Sequence, residues 1–171
     1  ISGAISGSTY DLMHYTIQEI TTITNGQRFG DGDPALAVEQ LLIDSRRLLF
    51  PESSLFFAIR GVRHDGHDFI GPLYERGVRS FVVDRAPDHA AFPEATFVRV
   101  DDVVAALQRL AAHHRRRFEL PVIGITGSNG KTIVKEWLFQ LLYDDYFIVR
   151  SPGSYNSQVG VPLSVWQLRP E

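Results

Sequence analysis

Apolar residues recur along this chain with two spacings, and their order predicts strands that alternate with helices. Short apolar runs bounded by turn residues predict strands at 38–44, 55–59, 80–84 and 96–100, and the turn between the first two contains Pro51. Spacings of three and four predict helices at 16–24, at 68–76 and after Asp101. This alternation predicts an α/β fold with mainly parallel sheets.

The ends of these helices carry residues that favour caps and stops. Thr16 and Asp101 are predicted to cap the first and third helices, because a short polar side chain can accept a hydrogen bond from a free backbone N–H. Asn25-Gly26 and Gly77 are predicted to end the first and second helices. The glycine-bracketed segment 61–66 is predicted to be a polar loop.

A second unit is predicted to begin near Phe118. Its elements are a strand at 120–125, a glycine-rich turn, a helix at 131–142 and a strand at 146–149, which together form a P-loop βαβ unit. The apolar stripe of this helix is predicted to be buried core and consists of Ile133, Val134, Trp137, Leu138, Leu141 and Leu142. With about fifty residues, the unit is shorter than a domain needs to bury a core of its own, so it is interpreted as the opening of a longer domain.

This division assigns 13–118 to a small N-terminal α/β domain and 119–171 to the incomplete second unit. Residues 1–12 are small, polar and glycine-bearing, and they are interpreted as an expression leader. The chain of 171 residues has a formal net charge of −3, a pI near 6.1 and no cysteine, which argues against general nucleic-acid binding and against disulfide or thiolate metal sites. No apolar run is long enough for membrane insertion, and a cytoplasmic location is expected.

The segment Gly124-Ile125-Thr126-Gly127-Ser128-Asn129-Gly130-Lys131-Thr132, called here the phosphate loop, lies between the predicted strand and helix of the second unit. Its glycines allow backbone N–H groups to point inward at phosphate oxygens, and the following helix adds its positive N-terminal end. Lys131 is predicted to reach the β- and γ-phosphates of a nucleoside triphosphate, and the Thr132 hydroxyl to bind magnesium. The predicted nucleotide contacts are Thr126, Gly127, Ser128, Asn129, Gly130, Lys131 and Thr132, and Lys131 is also the predicted catalytic residue.

Ile125 stands where the general phosphate-binding pattern has its first glycine, and the pattern G-x-T-G-x-N-G-K-T resembles instead the ATP loop of the Mur ligase family. Upstream, the D-S-R sequence at 44–46, the L-F-x-A-x-x-G sequence at 55–61 and the D-G-H-x-F sequence at 65–69 resemble the N-terminal domain of that family. The resemblance implies that this domain binds the uridine diphosphate of the substrate. It implies substrate contacts at Ser45, Arg46, Val62, Arg63 and His64.

Two histidines in and beside the 61–66 loop, His64 and His67, have a spacing that also occurs in metal sites. No carboxylate or cysteine constellation completes such a site in the sequence, so zinc is not expected there. His67 is instead expected to cap or brace the loop that precedes the second helix.

The segment 153–164 resembles the family pattern G-N-x-N-N-x-x-G-V-P-L-T, which is typical of the branch that adds D-alanyl-D-alanine. Asn156 is the substrate contact that this resemblance implies, whereas Ser154 and Ser157 replace asparagines of the pattern. Pro162 is expected in the first turn of a helix, because proline has no N–H and the first turn does not need one.

The resemblance implies an ATP- and Mg2+-dependent ligase of peptidoglycan precursor synthesis, which joins UDP-N-acetylmuramoyl-tripeptide to D-alanyl-D-alanine through an acyl phosphate. The remaining magnesium ligands and the domain that receives the amine are expected beyond Glu171, so this fragment alone is expected to be inactive. Two alternatives stay open: the Mur ligase that adds the third peptide residue, and a non-catalytic nucleotide-binding module. A parent protein fused to an alanine racemase is also compatible with the sequence.

Overall fold

The computed structural model describes residues 14–62, 64–152, 155 and 157–170, so the predicted leader at 1–12 lies outside the described residues. Along these residues the strands and α-helices are β1 (Tyr15–Thr16), α1 (Ile17–Thr24), β2 (Gln27–Phe29), β3 (Ala37–Val38), β4 (Gln40–Leu42), β5 (Ser54–Phe57), α2 (Ile70–Glu75), β6 (Ser80–Val83), β7 (Thr96–Arg99), α3 (Val103–Arg116), α4 (Lys131–Leu142) and α5 (Gly160–Val165). None of the helices in these ranges has the length and apolar character that crossing a membrane requires.

A five-stranded sheet organises the first unit, with the strand order β2-β7-β6-β5-β4. Strands β4 to β7 pair in parallel, and β2 joins β7 as an antiparallel edge. A row of aromatic residues crosses the sheet in register, because Phe56 lies opposite Phe81, Phe81 opposite Phe97, and Phe97 opposite Phe29. The ring centroids of Phe81 and Phe97 are 5.3 Å apart, a separation at which aromatic pairs stabilise one another. The predicted α/β fold with mainly parallel pairing is confirmed.

Helices cover both faces of this sheet. The aromatic row packs under α2, whose Ile70 and Leu73 are buried in the same cluster. The opposite face, which includes Phe57 and Val82, packs under α1 and α3. Every residue of β5 and β6 is buried, as expected of parallel strands that are covered on both sides.

The first two helices stop where predicted, although α2 begins at Ile70, after a 3-10 turn at Gly66–Phe69, and not at Asp68. Thr16 Oγ1 accepts a hydrogen bond from the Glu19 N–H at 3.2 Å, and Glu19 Oε2 accepts one from the Thr16 N–H at 2.8 Å, which forms a capping box at the start of α1. Asn25 follows α1 in the left-handed conformation, with φ of 55°. Gly77 lies just after α2 with φ of 96°, a conformation that favours glycine.

The predicted cap of α3 at Asp101 is wrong by one residue. Asp102 Oδ1 accepts the hydrogen bond from the Ala105 N–H at 2.9 Å. The helix begins at Val103, and the side chain directly before a helix is the one that reaches the free N–H of its second or third residue.

The strands predicted at 120–125 and 146–149 are absent from the described residues. A strand needs a neighbouring strand to satisfy its backbone N–H and C=O groups, and no described segment pairs with these two. The P-loop βαβ unit is therefore wrong in its strands and correct in its helix, α4. The strand predicted at 38–44 is divided into β3 and β4 at Glu39, whose N–H donates to Ser53 O at 2.9 Å.

The predicted burial of the α4 stripe is also wrong. The exposed fractions are 56% for Ile133, 42% for Val134, 62% for Trp137 and 74% for Leu141, while Leu138 and Leu142 are half-buried. An amphipathic helix of an α/β unit buries its apolar face against a sheet. The two strands that would build such a sheet beside α4 do not form, so the stripe faces solvent.

After α4 the chain returns to the first unit, where α5 and the residues that follow it pack against α3. Trp166 is buried, and its Nε1 donates to Glu39 O at 2.9 Å. His114 is fully buried beside it, with Nδ1 3.2 Å from the Tyr15 hydroxyl and Nε2 3.1 Å from Leu168 O. Because a carbonyl can only accept, His114 Nε2 carries the proton and Nδ1 accepts from Tyr15. The division at 118 stays a prediction, and the segment 160–168 is held to the first unit across it.

The burial of His114 makes the stability of this junction sensitive to pH. Burial lowers the pKa of His114 from its ordinary value, and the hydrogen bond to Leu168 O only partly opposes this effect. Below about pH 6.5 the unfolded chain binds a proton that the native His114 does not, so the free energy of unfolding falls as the pH drops toward the lower native pKa. Between about pH 7.5 and about pH 5.5, we expect the free energy of unfolding to fall less in His114→Gln, which keeps a donor for Leu168 O, than in the unsubstituted chain. Urea unfolding at the two pH values measures this difference.

The neighbouring His113 provides the matched control, because it is exposed. His113→Gln should keep the full loss of stability at the lower pH. One proton limits the contribution of His114 to about 1.4 kcal/mol per pH unit. Equal pH dependence in His114→Gln and the unsubstituted chain would contradict this account.

Candidate functional site

The phosphate loop is an irregular turn that leads directly into α4. Gly127 has φ of 147° and Gly130 has φ of 78°, conformations that side chains rarely adopt. Gly130 is the residue directly before α4, and no side chain caps this helix end. The sequence therefore places glycine at the two positions where the backbone turns into the left-handed region.

The backbone donors of this turn are available to a ligand. Within the described parts of the chain, the N–H groups of Gly127, Ser128, Asn129 and Gly130 donate no hydrogen bond. The Lys131 ammonium folds back over the loop, where it donates to Gly127 O and lies 3.5 Å from Ser128 O. A turn with free N–H groups, a helix N-terminus and a cation can hold an anion such as a phosphate group.

The structure brings all seven predicted nucleotide contacts into this one turn, 126–132. Thr132, the predicted magnesium ligand, is exposed in the first turn of α4. Among the described residues no three His, Cys, Asp or Glu side chains are grouped so that they could hold a metal ion. The individual roles of these residues stay predictions.

A second group of predicted residues lies at the carboxyl ends of the parallel strands. The turn Ser45–Arg47 follows β4, and Asp44 caps it by accepting from the Arg46 N–H at 3.1 Å. The Arg46 guanidinium also donates two hydrogen bonds to Asp44, with Nη2 2.7 Å from Oδ2 and Nε 2.9 Å from Oδ1. These bonds hold the pKa of Asp44 at about 2, so the carboxylate is ionised at neutral pH. The pairing orients Arg46 while its side chain remains exposed to a ligand.

The 61–66 loop follows β5 at the same edge of the sheet. Its ends meet because the Gly61 N–H donates to His64 O at 2.9 Å and the Gly66 N–H donates to Ile59 O at 3.0 Å. The predicted contacts Val62 and His64 are exposed at its tip, and Arg63 lies outside the described residues. Since carboxyl ends of parallel strands are where α/β sheets bind ligands, Ser45, Arg46 and this loop form one candidate site.

Charged residues that the sequence interpretation missed complete this edge. Asp84 and Arg85 follow β6, and Arg85 Nη2 donates to Asp65 Oδ2 at 2.8 Å. Arg76 Nη1 donates to Ser45 O at 2.7 Å and so supports the turn after β4. Asp84 and Arg85 come directly after a buried apolar strand, as Asp44 does, and this position in the sequence was the signal that could have found them.

The segment 153–164 is only partly described, and Asn156 and Ser154 lie outside the described residues. Ser157 Oγ accepts from the Gly160 N–H at 3.0 Å, so the serine at this position of the family pattern supports the turn that leads into α5. Pro162 lies in the first turn of α5, as predicted. The Arg47 guanidinium carbon is 5.3 Å from the centre of the Tyr155 ring, so this segment meets the turn after β4.

Comparison with known proteins gives consistent results. A family model described as Mur ligase family, catalytic domain, matches residues 38–115. UDP-N-acetylmuramoyl-tripeptide--D-alanyl-D-alanine ligase of Bacillus subtilis is 31% identical over 88% of this chain and 32% of its own length. UDP-N-acetylmuramoyl-L-alanyl-D-glutamate--2,6-diaminopimelate ligase of Geobacter metallireducens is 40% identical over 68% of this chain and 22% of its own length.

Solved structures agree with these relatives. A UDP-N-acetylmuramoylalanyl-D-glutamyl-2,6-diaminopimelate--D-alanyl-D-alanyl ligase from Acinetobacter baumannii is 32% identical, with a TM-score of 0.81 over 95% of this chain and 35% of that chain. A MurF ligase from Thermotoga maritima, solved in complex with ADP, is 30% identical, with a TM-score of 0.65 over 75% of this chain and 29% of that chain. The chain spans about a third of the length of the D-alanyl-D-alanine ligases that it matches.

The base of the 61–66 loop leaves no room for a side chain at Gly66. A Cβ atom there would lie 2.5 Å from the backbone C of Ala58 and 2.6 Å from the N of Ile59. We expect Gly66→Ala to lower the free energy of unfolding by about 1–3 kcal/mol, because the backbone must shift to relieve the overlap. Urea unfolding followed by circular dichroism measures this change.

Gly61→Ala is the matched control at the other end of the loop. A Cβ atom at Gly61 would have its nearest neighbour, His64 O, at 3.4 Å, which is ordinary contact. This variant should unfold within about 0.5 kcal/mol of the unsubstituted chain. Similar stability of the two alanine variants would show that the close approach at Gly66 is not a constraint.

Proposed function

This chain belongs to the Mur ligase family, and we propose that it is the N-terminal part of an ATP-dependent ligase that adds D-alanyl-D-alanine to UDP-N-acetylmuramoyl-tripeptide. The similarity to such ligases extends over nearly the whole chain and includes both the carboxyl edge of the sheet and the phosphate loop. This similarity is the observation that carries the proposal. We expect a cytoplasmic location, since the proposed reaction consumes ATP and a UDP-linked precursor.

In the proposed reaction the γ-phosphoryl group of ATP is transferred to a substrate carboxylate, and ADP leaves. The amine of D-alanyl-D-alanine then attacks the acyl phosphate, an amide bond forms and phosphate leaves. Because a phosphoryl group moves between two anions, the transfer requires positive charge and hydrogen-bond donors at the phosphates. Lys131 and the free N–H groups of the phosphate loop are of this kind.

The residues of the phosphate loop fit a magnesium nucleotide. The Lys131 ammonium already lies over the loop carbonyls, so a short movement of its side chain would let it reach a bound phosphate. Thr132 would supply one magnesium ligand, while phosphate oxygens and water supply others. When bound, magnesium neutralises charge on the β- and γ-phosphates.

The carboxyl edge of the sheet fits the uridine diphosphate end of the substrate. Arg46 keeps an exposed guanidinium there, and Arg60 and Arg85 have exposed fractions of 55% and 53%. Guanidinium groups bind phosphate oxygens with strong, charge-assisted hydrogen bonds. Ser45, Val62, Arg63 and His64 are the proposed contacts around this charge, and Asn156 is proposed on the adjoining segment.

A second candidate is the ligase that adds the third peptide residue. The 40% identity to the diaminopimelate ligase favours it, but that similarity covers less of this chain than the similarity to D-alanyl-D-alanine ligases does. The pattern at 153–164 also resembles the branch that adds D-alanyl-D-alanine. The acceptor amine decides between the two, because one enzyme uses a dipeptide and the other an amino acid.

We expect this chain to bind uridine diphosphate through the first unit. In isothermal calorimetry, Ser45→Ala should weaken binding by about tenfold, because a hydrogen bond to a charged phosphate is lost. Lys131→Ala is the control and should bind uridine diphosphate like the unsubstituted chain. No binding at millimolar ligand would refute the substrate site, and a loss confined to Lys131→Ala would place uridine diphosphate in the phosphate loop instead.

We expect Lys131→Ala to abolish ATP turnover in the full-length ligase that contains this sequence. Removal of one charged donor from a phosphoryl-transfer site lowers the rate by about a hundredfold or more. Lys135→Ala is the matched control one turn along α4, where Lys135 Nζ donates to Ser151 O at 2.6 Å. Phosphate release with UDP-N-acetylmuramoyl-tripeptide and D-alanyl-D-alanine measures turnover.

Normal turnover by Lys131→Ala would show that the phosphate loop is assigned to the wrong residue. Complete inactivity of the unsubstituted full-length protein, with nucleotide binding intact, would favour the non-catalytic module. Replacement of D-alanyl-D-alanine by diaminopimelate or lysine as the accepted amine would favour the third-residue ligase.

A further inference from the structure

His67 lies at the centre of a charged cluster beneath the 61–66 loop. Its Nδ1 is 2.8 Å from Asp65 Oδ1, and its Nε2 is 3.4 Å from Asp84 Oδ1. Its side chain is only 7% exposed, although Arg60 and Arg85 on either side are about half exposed. A buried imidazole between two carboxylates is an unusual arrangement for a residue that only fills space.

Asp65 accepts most of the hydrogen bonds in this cluster. It accepts from the His67 N–H at 3.0 Å, from His67 Nδ1 and from Arg85 Nη2, and these bonds hold its pKa well below the usual range. An ionised carboxylate can only accept, so His67 Nδ1 carries the proton in this contact. The direction of the bond is therefore fixed by the charge of Asp65.

The cluster connects the loop to the rigid part of the sheet. Asp65 is the last residue before Gly66, whose backbone is pressed against Ala58, and Asp84 follows β6 in the middle of the sheet. The Ala58 N–H donates to Val82 O at 2.9 Å, so the strand ends beneath the loop are themselves paired. His67 thus hydrogen-bonds Asp65 at the base of the loop, while its buried Nε2, which makes no hydrogen bond among the described residues, faces Asp84 at the end of β6.

Apart from this base, few contacts hold the tip of the loop in place. The exposed side chains of Val62 and His64 make no hydrogen bond or ion pair among the described residues. Across the tip the backbone is closed by the bond from the Gly61 N–H to His64 O, and His64 directly precedes Asp65. Loss of the cluster would therefore free the tip while the sheet remains intact.

We propose that Asp65, His67 and Asp84, called here the loop brace, are positioning residues that hold Gly61, Val62 and His64 in the arrangement that binds the substrate's diphosphate. The brace acts through the loop and does not itself touch the substrate. This inference rests on the proposed function for its ligand, whereas its effect on the loop is independent of any ligand.

The experiment measures amide hydrogen exchange of the 171-residue chain by NMR, without ligand. His67→Ala should increase exchange at Gly61 and Gly66 by about tenfold, since a hydrogen bond to a charged group is lost, while Val82 and Val98 in the sheet stay protected. His67→Asn should restore most of the protection, because its amide N–H occupies the position of Nδ1. Asp84→Asn, which conserves volume, is the second variant if His67→Ala does not fold, and it should also increase exchange at Gly61.

Asp68→Asn is the matched control. It removes one negative charge, as Asp84→Asn does, from the residue next to His67, and it leaves the three residues of the loop brace unchanged. Calorimetry with uridine diphosphate is the second readout, and His67→Ala should bind about tenfold more weakly than Asp68→Asn. Unchanged exchange at Gly61 and Gly66 in both His67→Ala and Asp84→Asn overturns the brace. Absence of uridine diphosphate binding by the unsubstituted chain overturns the proposed substrate site instead, and the exchange data separate the two failures.

Discussion

Parallel pairing of β4 to β7 is the constraint from which most of this structure follows. Parallel strands need crossover connections, and the one from β5 to β6 places α2 on one face of the sheet. The helices α1, before β2, and α3, after β7, cover the other face. The same pairing directs the carboxyl ends of β4 to β7 to one edge. Asp44, Asp65 and Asp84 therefore lie at neighbouring strand ends although they are far apart in sequence, and the loops that they anchor form one surface.

The second consequence concerns the segment beyond the phosphate loop. Trp166 and His114 make a buried contact in which both indole and imidazole nitrogens have hydrogen-bond partners, so the junction is apolar without leaving these polar atoms unsatisfied. It fixes α5 against α3 and brings Tyr155 to Arg47. The turn after β4 and the segment that contains Tyr155 both resemble substrate-binding motifs. They are thus adjacent because of the contact between Trp166 and His114, which belongs to neither motif.

The sequence predicted best what local chemistry decides. The Thr16 cap of α1, its stop at Asn25 and the bounds of α4 depend on residues within one or two turns, and all three predictions are confirmed. Strands 120–125 and 146–149 depend on partners elsewhere, and apolar composition alone cannot supply them. The brace around His67 was visible only as an expectation about the loop, because its acidic partner Asp84 comes from another strand.

The candidate site also has one part that the sequence could reveal and another that depends on distant residues. The phosphate loop is contiguous, so its glycines and Lys131 could be found in the sequence, whereas Arg76 and Arg85 reach the carboxyl edge of the sheet only through the fold. Of the two tryptophans, Trp137 on α4 is 62% exposed, and Trp166, which packs against the first unit, is 6% exposed. The chain thus contains two intrinsic fluorophores. The red-shifted emission of the hydrated indole reports on α4, and the blue-shifted emission of the enclosed indole reports on the contact between the segment 160–168 and the first unit.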